Sequence, residues 1–141
     1  MPIGNKKNLR WRVLETQGKP PEGRFYHEMR FYEKGNLLIV YGGKRFANSD
    51  PAVKYGKSEF VSSVVVLRMD TLIWYDVKFR DSEGCLKKFP NVYNFSSEIA
   101  DDKIFIFGGM LDTHSQSKNL YGMKLVHRRL AYDEEPNIFT S

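Results

Sequence analysis

Three histidines and one cysteine are the side chains of this 141-residue sequence best suited to metal or redox chemistry. His27, His114 and His127 fall on different predicted elements, without the spacing of metal ligands. A metal site needs ligands that converge on one point, so the sequence predicts no metal and no other cofactor. Cys85 has no second cysteine to pair with. This excludes a disulfide-stabilised secreted fold and favours a reducing compartment.

The segment Gly42-Gly43-Lys44 could suggest phosphate binding. It lacks the Gly-x-x-x-x-Gly-Lys-Ser/Thr spacing of a phosphate loop, and no helix is predicted after it. The formal net charge of +5 and the aromatic content of 14% could suit nucleic acid. Most aromatic residues, however, stand at strand positions, where they serve a core. We therefore expect protein partners with an acidic surface, and the alternative is an ordinary solvated basic surface.

The same glycine pair ends a segment that the chain repeats. Leu37–Tyr41 is a run of apolar and aromatic residues bounded by turn residues, a pattern typical of a buried strand. Lys103–Phe107 has the same character and is followed by Gly108 and Gly109. Two such strands, each stopped by Gly-Gly, indicate an internal repeat, and a repeat decides the fold class.

The rest of the chain predicts short strands separated by turns and loops. Further strands are predicted at residues 9–15, 24–32, 61–69, 72–79, 92–99, 119–126 and 127–132. Long loops are predicted at 44–60, 80–91 and 110–118, and short turns at 33–36, 70–71 and 101–102. No stretch has helical periodicity with caps. The sequence also contains no run of 18 apolar residues, the length needed to span a membrane. The predicted fold class is therefore all-β.

The repeated strands resemble kelch repeats. In that family an apolar strand ends in Gly-Gly, and a tyrosine typically stands nine residues before a tryptophan. Here Trp74 matches the tryptophan, but Val65 stands in the tyrosine position. In the second repeat Tyr121 matches the tyrosine, and Leu130 replaces the tryptophan. The first repeat is the better match, and the second is degenerate.

The approach to the first strand resembles the family as well. Pro21, Arg24 and His27 match a Pro-x-x-Arg-x-x-His pattern, whose counterpart in the second repeat ends at Phe95. The resemblance covers residues 9–132. Because two copies occur in the same order with matching spacing, the resemblance is specific enough to predict the fold.

The resemblance implies a β-propeller in which each repeat forms one blade, a four-stranded antiparallel meander. The expected parts are a polar lead-in at 1–8, a leading strand at 9–15 that would close the ring, blades at 24–79 and 92–132, and a C-terminal loop or tail at 133–141. Propellers typically have four to eight blades. Two blades therefore predict an incomplete or partner-completed propeller within a larger chain or complex. The structural motif residues are Gly42, Gly43, Trp74, Gly108, Gly109 and Tyr121.

The three predicted long loops should emerge at one end of the meanders, and the short turns at the other. Repeat scaffolds place recognition on such elaborated loops, and arginine and tyrosine are enriched at interface hot spots. The predicted partner-binding residues are basic groups with aromatic residues between them: Arg45, Phe46, Lys54, Tyr55, Lys57, Lys87 and Lys88. The alternative is an ordinary solvated loop surface.

The resemblance implies a non-catalytic protein-interaction scaffold in the cytoplasm, bound to the cytoskeleton or to a larger assembly. A second hypothesis is the propeller portion of a larger enzyme or ubiquitin-ligase adaptor, with the catalytic function elsewhere. A kelch-like copper oxidase would need histidines, tyrosines and a crosslinked cysteine on the propeller axis, and Cys85 lies in a predicted loop without such a partner. Trp74-Tyr75-Asp76 superficially resembles a WD repeat, but the Gly-Gly strand ends argue against one. We expect no enzyme activity in this chain.

Overall fold

The computed structural model describes residues 9–47 and 57–125, which form an all-β architecture. These residues contain one 3₁₀ turn and no α-helix. Their strands are β1 (Gln17–Gly18), β2 (Glu28–Tyr32), β3 (Leu37–Tyr41), β4 (Lys44–Phe46), β5 (Ser58–Phe60), β6 (Val64–Arg68), β7 (Ile73–Val77), β8 (Phe79–Arg80), β9 (Leu86–Lys87), β10 (Ser96–Ala100), β11 (Lys103–Phe107) and β12 (Leu120–Lys124). They form one five-stranded, one three-stranded and two two-stranded sheets. The all-β prediction is confirmed.

The first sheet has the strand order β1-β7-β6-β3-β2. Within it, β2, β3, β6 and β7 pair antiparallel with their sequence neighbours, as a four-stranded meander. The turn between β2 and β3 contains a 3₁₀ element at Glu33–Gly35 and ends at Asn36, which has a left-handed φ of 51°. Asparagine tolerates this conformation better than most residues. The antiparallel meander predicted for residues 24–79 is therefore present.

The prediction of a leading strand at residues 9–15 is wrong. Its apolar side chains are 97% to 104% exposed at three positions: Leu9, Trp11 and Val13. Instead, Gln17–Gly18 pairs in parallel with β7 at the outer edge of the first sheet. A Cβ atom on Gly18 would lie 2.6 Å from the backbone oxygen of Trp74, so glycine permits this close pairing. Alternation at 9–15 could not reveal that the segment has no neighbouring strand in the described fold.

The second sheet has the strand order β10-β11-β12, antiparallel throughout. Its first hairpin turns at residues 101–102, as predicted. The partner strand predicted at 127–132, with His127 and Leu130, lies outside the described residues. So do the predicted lead-in at 1–8 and tail at 133–141.

Two of the predicted long loops contain short hairpins. β4 pairs with β5, and β8 pairs with β9. The prediction of uninterrupted loops at 44–60 and 80–91 is wrong for these strands. They are two or three residues long, too short to show a period of two in the sequence. The third predicted loop, 110–118, has only an isolated bridge between Met110 and Gln116 inside it.

The hydrophobic core lies between the facing sides of the two large sheets. Ile39, Tyr41 and Val66 of the first sheet belong to one buried cluster with Ile104 and Ile106 of the second. All five side chains are at most 2% exposed. Packing of aliphatic residues from two sheets in this way is the main source of stability in such folds.

Hydrogen bonds also cross between the two sheets at Ser97. The Tyr41 hydroxyl donates to Ser97 Oγ at 2.7 Å, and Arg30 Nη2 donates to the Ser97 carbonyl at 2.8 Å. Burial raises the pKa of Tyr41 to about 12, so this hydroxyl keeps its proton at neutral pH.

A second polar link joins the sheets at Asp102, in the turn between β10 and β11. The Tyr32 hydroxyl donates to Asp102 Oδ1 at 2.7 Å, and Lys34 Nζ lies 3.1 Å from the same oxygen. Burial, with a further contribution from Asp102, raises the pKa of Tyr32 to about 12. The hydrogen bonds from Tyr32 and Lys34 lower the pKa of Asp102 below its usual value.

Candidate protein-interaction surface

One end of the two large sheets carries the long connections, and we call it the loop end. β3 finishes there in Gly42 and Gly43, and β11 finishes there in Gly108 and Gly109. All four glycines have φ angles between 72° and 88°, a conformation that residues with a Cβ rarely adopt. The glycine pairs therefore let both strands turn sharply into the connections.

The loop ends of the two sheets are joined. The backbone N–H of Asn94, before β10, donates to the carbonyl of Tyr26, before β2, at 3.2 Å. Lys44 of β4 reaches across to the ring of Tyr93, with its Nζ 4.4 Å from the ring centroid. The two sheets therefore present one continuous surface at this end.

Five aromatic side chains form a cluster on this surface, and we call it the aromatic cluster: Phe25, Tyr26, Phe46, Phe60 and Tyr93. Neighbouring ring centroids are 5.1 to 6.0 Å apart. Phe46 is 61% exposed and Tyr26 is 56% exposed, whereas the other three are half-buried. Contiguous exposed aromatic surface is characteristic of interaction sites.

Lys44 is seated inside the aromatic cluster. Its ammonium lies 4.9 Å from the ring centroid of Phe60 and 4.4 Å from that of Tyr93, within the range of a cation–π contact. Ser58 Oγ accepts a hydrogen bond from it at 3.3 Å. No described carboxylate forms an ion pair with Lys44. Among the described residues, rings and a hydroxyl rather than a carboxylate therefore surround this half-buried cation.

Two arginines at the loop end are bound within the chain. Arg45 pairs with Glu22 and with Glu59, whose Oε1 lies 2.7 Å from Arg45 Nε. The hydrogen bond to Glu59 raises the pKa of Arg45. Arg24 donates to the carbonyl and to the hydroxyl of Ser63, each at 3.1 Å, and burial lowers its pKa. Both side chains hold segments together, and the charge of Arg45 is neutralised locally.

The structure brings some predicted site residues together and separates others. Arg45 and Phe46 lie at the loop end, and Phe46 packs on Phe25 with ring centroids 5.1 Å apart. Lys57 is exposed beside β5. Lys87 and Lys88 instead border a separate cavity of about 260 Å³, lined also by residues of β11 and β12. Two more predicted residues lie outside the described residues: Lys54 and Tyr55.

Most of the aromatic cluster was not predicted as a site. A signal existed, because Phe25 and Tyr93 hold equivalent places in the two repeats, each in an isolated bridge just before its strand. The contact of Lys44 with Tyr93 had no such signal. It joins residues from different repeats and exists only because the two sheets pack together.

Two aromatic motif residues, Trp74 of β7 and Tyr121 of β12, form hydrogen bonds with neighbouring side chains. Trp74 is half-buried, and its Nε1 donates to Thr16 Oγ1 at 3.0 Å. Tyr121 packs against the core, and its hydroxyl accepts a hydrogen bond from Asn119 Nδ2 at 3.2 Å.

The described part of the chain holds no group of three or more His, Cys, Asp or Glu side chains that could bind a metal ion. Cys85 is exposed between β8 and β9, where its backbone N–H donates to Asp81 Oδ1 at 2.8 Å. Within residues 9–47 and 57–125, no helix has the length and apolar character needed to cross a membrane.

Comparison with known proteins gives one distant relative. No protein-family model matches the sequence. The chain is similar to the protein named Host cell factor homolog hcf-1 from Caenorhabditis elegans, with 28% identity over 109 residues. The match covers 76% of this chain and 12% of that relative, so the chain spans a small part of the relative's length. The all-β fold of the described residues is compatible with this similarity.

Proposed function

We propose that this chain is a protein-interaction module that binds its partner at the loop end. The observation that carries the proposal is Lys44 seated between Phe60 and Tyr93, beside the exposed Phe46. Aromatic side chains at such sites supply most of the binding free energy when a partner covers them. The similarity to a protein named as a host cell factor supports an interaction role in general.

The partner presents a carboxylate next to an apolar or aromatic side chain. Lys44 has no described carboxylate partner, whereas Arg45 is paired with Glu22 and Glu59. The partner's carboxylate would therefore pair with Lys44 rather than with Arg45. Covering the surrounding rings removes water from this ion pair and strengthens it. The net charge of +5 assists the approach of an acidic partner.

The two large sheets act as kelch-type propeller blades within a larger chain or complex, and the module itself is non-catalytic and cytoplasmic. The antiparallel meanders and the two strands that end in glycine pairs support the blade assignment. An association with the cytoskeleton stays a prediction.

A displayed library of random peptides tests the loop-end site. Binders are selected on the wild-type chain and then measured against Lys44→Glu and Phe46→Ser. We expect the enriched peptides to carry Asp or Glu beside an aromatic or aliphatic residue. Lys44→Glu should weaken their binding by tenfold or more, about 1.4 kcal/mol, and Phe46→Ser should weaken it as well.

Lys88→Glu is the matched control, because it makes the same charge change at the border of the separate cavity. Binding to this variant should stay within a factor of about two of wild type, since an exposed charge outside the aromatic cluster contributes little. A second comparison reverses the lysines predicted from the sequence: Lys54, Lys57, Lys87 and Lys88. Their joint reversal should weaken binding less than Lys44→Glu alone. The proposal would be contradicted if the selected peptides bind the Lys44→Glu variant as tightly as they bind wild type.

A further inference from the structure

One edge of the β4–β5 hairpin has no neighbouring strand in the described part of the chain. β5 belongs to a two-stranded sheet, and β4 is its partner there. Ser58 and Glu59 are exposed, and Phe60 is half-buried. We call the side of β5 that is turned away from β4 the free edge. An unpaired strand edge presents backbone N–H and C=O groups that can pair with an added strand.

The hydrogen bonds at the two ends of the hairpin show which backbone groups point toward the free edge. The N–H of Val61 donates to the carbonyl of Gly43 at 3.0 Å, and the N–H of Ala47 donates to the carbonyl of Lys57 at 2.8 Å. Hydrogen-bonded and non-hydrogen-bonded pairs alternate along an antiparallel ladder. The odd-numbered residues of the hairpin therefore bond across it, and the even-numbered residues direct their backbone groups outward.

The outer side of β4 supports this assignment. The N–H of Lys44 donates to the carbonyl of Phe25 at 2.9 Å, and the N–H of Phe25 donates back to Lys44 at 2.8 Å. Phe60 is the direct cross-strand partner of Lys44, so its N–H and C=O point the other way, to the free edge. The same holds for Ser58. Neither Ser58 nor Phe60 forms a backbone hydrogen bond with a described residue.

The ammonium of Lys44 lies over β5, although its backbone belongs to β4. Its Nζ is 3.3 Å from Ser58 Oγ and 4.9 Å from the ring centroid of Phe60. Direct cross-strand partners place their side chains on the same side of a sheet. A residue in a strand added at the free edge, opposite Phe60 or Ser58, would lie about 5.5 Å away between Cα atoms and on the side of this cation.

The opposite side of the hairpin carries the other charge. Arg45 and Glu59 are direct cross-strand partners there, with Arg45 Nε 2.7 Å from Glu59 Oε1. A residue opposite Glu59 in an added strand would have its side chain on this side. A carboxylate at that position would stand beside the carboxylate of Glu59, and like charges directly opposite destabilise a strand pair. The two sides therefore favour acidic residues at alternate positions of an added strand.

We propose that the loop-end partner binds as an extended peptide that adds an antiparallel strand to the free edge of β5, with an Asp or Glu side chain beside Lys44. This inference rests on the proposed function, because it specifies how the same site recognises its partner. Antiparallel pairing is slightly more stable per residue than parallel pairing. The carbonyl of Ser62 already accepts from the N–H of Phe89 at 3.4 Å, so the added strand would end at that contact.

This arrangement assigns different tasks to successive residues of the peptide. The residues opposite Ser58 and Phe60 exchange both backbone hydrogen bonds with β5 and place their side chains on the side of Lys44. The residue between them faces Glu59 and turns its own N–H away from β5. The acidic residue therefore needs its backbone N–H for binding, whereas its two immediate neighbours do not.

Backbone N-methylation of a selected peptide, one position at a time, tests the strand addition by isothermal titration against the wild-type chain. The acidic residue that Lys44 recognises is first identified as the one whose amide replacement costs affinity for wild type but not for Lys44→Glu. N-methylation of that residue should weaken binding by tenfold or more, because a ladder hydrogen bond is lost and the methyl group separates the strands. N-methylation of either immediate neighbour should weaken binding by no more than about threefold.

Ser58→Pro tests the same bonds from the side of the protein. Proline removes the N–H that points to the free edge and leaves the bonds between β4 and β5, because Ser58 donates none of them. Ser58→Ala is the matched comparison, since both variants lack the hydroxyl that contacts Lys44. Ser58→Pro should bind the peptide at least tenfold more weakly than Ser58→Ala. Circular dichroism checks that both variants fold, and the N-methylated peptides on wild type decide the question if Ser58→Pro does not.

The outcomes separate strand addition from the loop-end function itself. If N-methylation of the acidic residue leaves affinity unchanged, or if all three positions lose affinity equally, strand addition at β5 is overturned. Binding that still depends on Lys44 in that case keeps the proposed function, with recognition by side chains alone. Peptides whose affinity is the same for wild type and Lys44→Glu contradict the proposed function instead.

Discussion

Tyr41 of β3 donates its hydroxyl hydrogen to Ser97 Oγ of β10 at 2.7 Å, and this bond joins the two large sheets inside the core. Tyr41 has no exposed surface, and Ser97 is 7% exposed. A buried hydroxyl needs a hydrogen-bond partner, and each of these residues supplies the other's. The bond therefore ties the register of one sheet to that of the other.

Replacing Tyr41 with Phe should lower the free energy of unfolding by about 1–2 kcal/mol, because a buried hydrogen bond is lost and Ser97 is left less well satisfied. Urea denaturation followed by circular dichroism measures the change. Tyr75→Phe is the matched control, since Tyr75 packs against the same core and its hydroxyl has no partner among the described residues. Equal losses in the two variants would mean that the Tyr41–Ser97 bond adds no specific stability.

The first glycines of the two pairs, Gly42 and Gly108, should differ in how much stability is lost when each is replaced with alanine. Gly42 and Gly108 have similar φ angles, 72° and 77°. A Cβ at Gly42 would clash with the Phe95 ring, whereas a Cβ at Gly108 would meet no described atom within 4 Å. In both variants the free energy of unfolding should fall by about 1–2 kcal/mol, because alanine is strained in the left-handed backbone conformation. Gly42→Ala should lose a further 1–3 kcal/mol or so from overpacking. The comparison is made on dilute samples by thermal and urea unfolding.

Gly23→Ala provides the control for the glycine series, because a Cβ there meets no atom within 4 Å and its φ is not positive. That variant should be as stable as wild type or slightly more stable. If Gly108→Ala costs as much as Gly42→Ala, the crowding by Phe95 is not what makes glycine necessary at position 42.

Asp102 should make the fold sensitive to acid. Hydrogen bonds from Tyr32 and Lys34 lower its folded-state pKa below the ordinary value of about 3.9. A lowered folded-state pKa contributes stability above the unfolded-state pKa, and that stability is lost as the pH falls through the folded-state pKa. The denaturation midpoint of wild type should therefore fall between about pH 4 and pH 2, and that of Asp102→Asn should fall less.

Tyr32→Phe tests the cause of the acid sensitivity. It removes the hydroxyl that donates to Asp102 at 2.7 Å and keeps the ring in the core. Its denaturation midpoint should depend on pH less than that of wild type and more than that of Asp102→Asn, because Lys34 remains beside the carboxylate. An Asp102→Asn variant with the full wild-type pH dependence would assign the acid sensitivity to other carboxylates.

The two tryptophans should contribute differently to the stability of the fold. Trp11 is fully exposed, and Trp11→Ala should change the free energy of unfolding by less than about 0.5 kcal/mol. Trp74 donates to Thr16 Oγ1 at 3.0 Å, and Thr16→Val should cost about 1 kcal/mol by removing that acceptor. Urea unfolding followed by circular dichroism compares the two. A larger loss for Trp11→Ala would place residues 9–13 in contact with the sheets.

The strands next to the glycine pairs were predictable because their signals are local. Leu37–Tyr41 and Lys103–Phe107 are strands with the predicted bounds, since an apolar run followed by Gly-Gly specifies both the strand and its end. The segment 9–15 shows the opposite case. Its alternation is compatible with a strand, but a strand needs a neighbour to accept its hydrogen bonds, and no local pattern reports whether one exists.

By itself, the sequence determined the all-β class, the repeat of strands ended by glycine pairs and the end of the sheets where the long connections gather. Each of these follows from residues close together in the chain. Only the tertiary structure decided that Lys44 lies between Phe60 and Tyr93, and that two glutamates neutralise Arg45. Those contacts join segments far apart in sequence. They exist because the packing of two sheets and a hairpin brings the side chains together, and no periodicity in the chain encodes that packing.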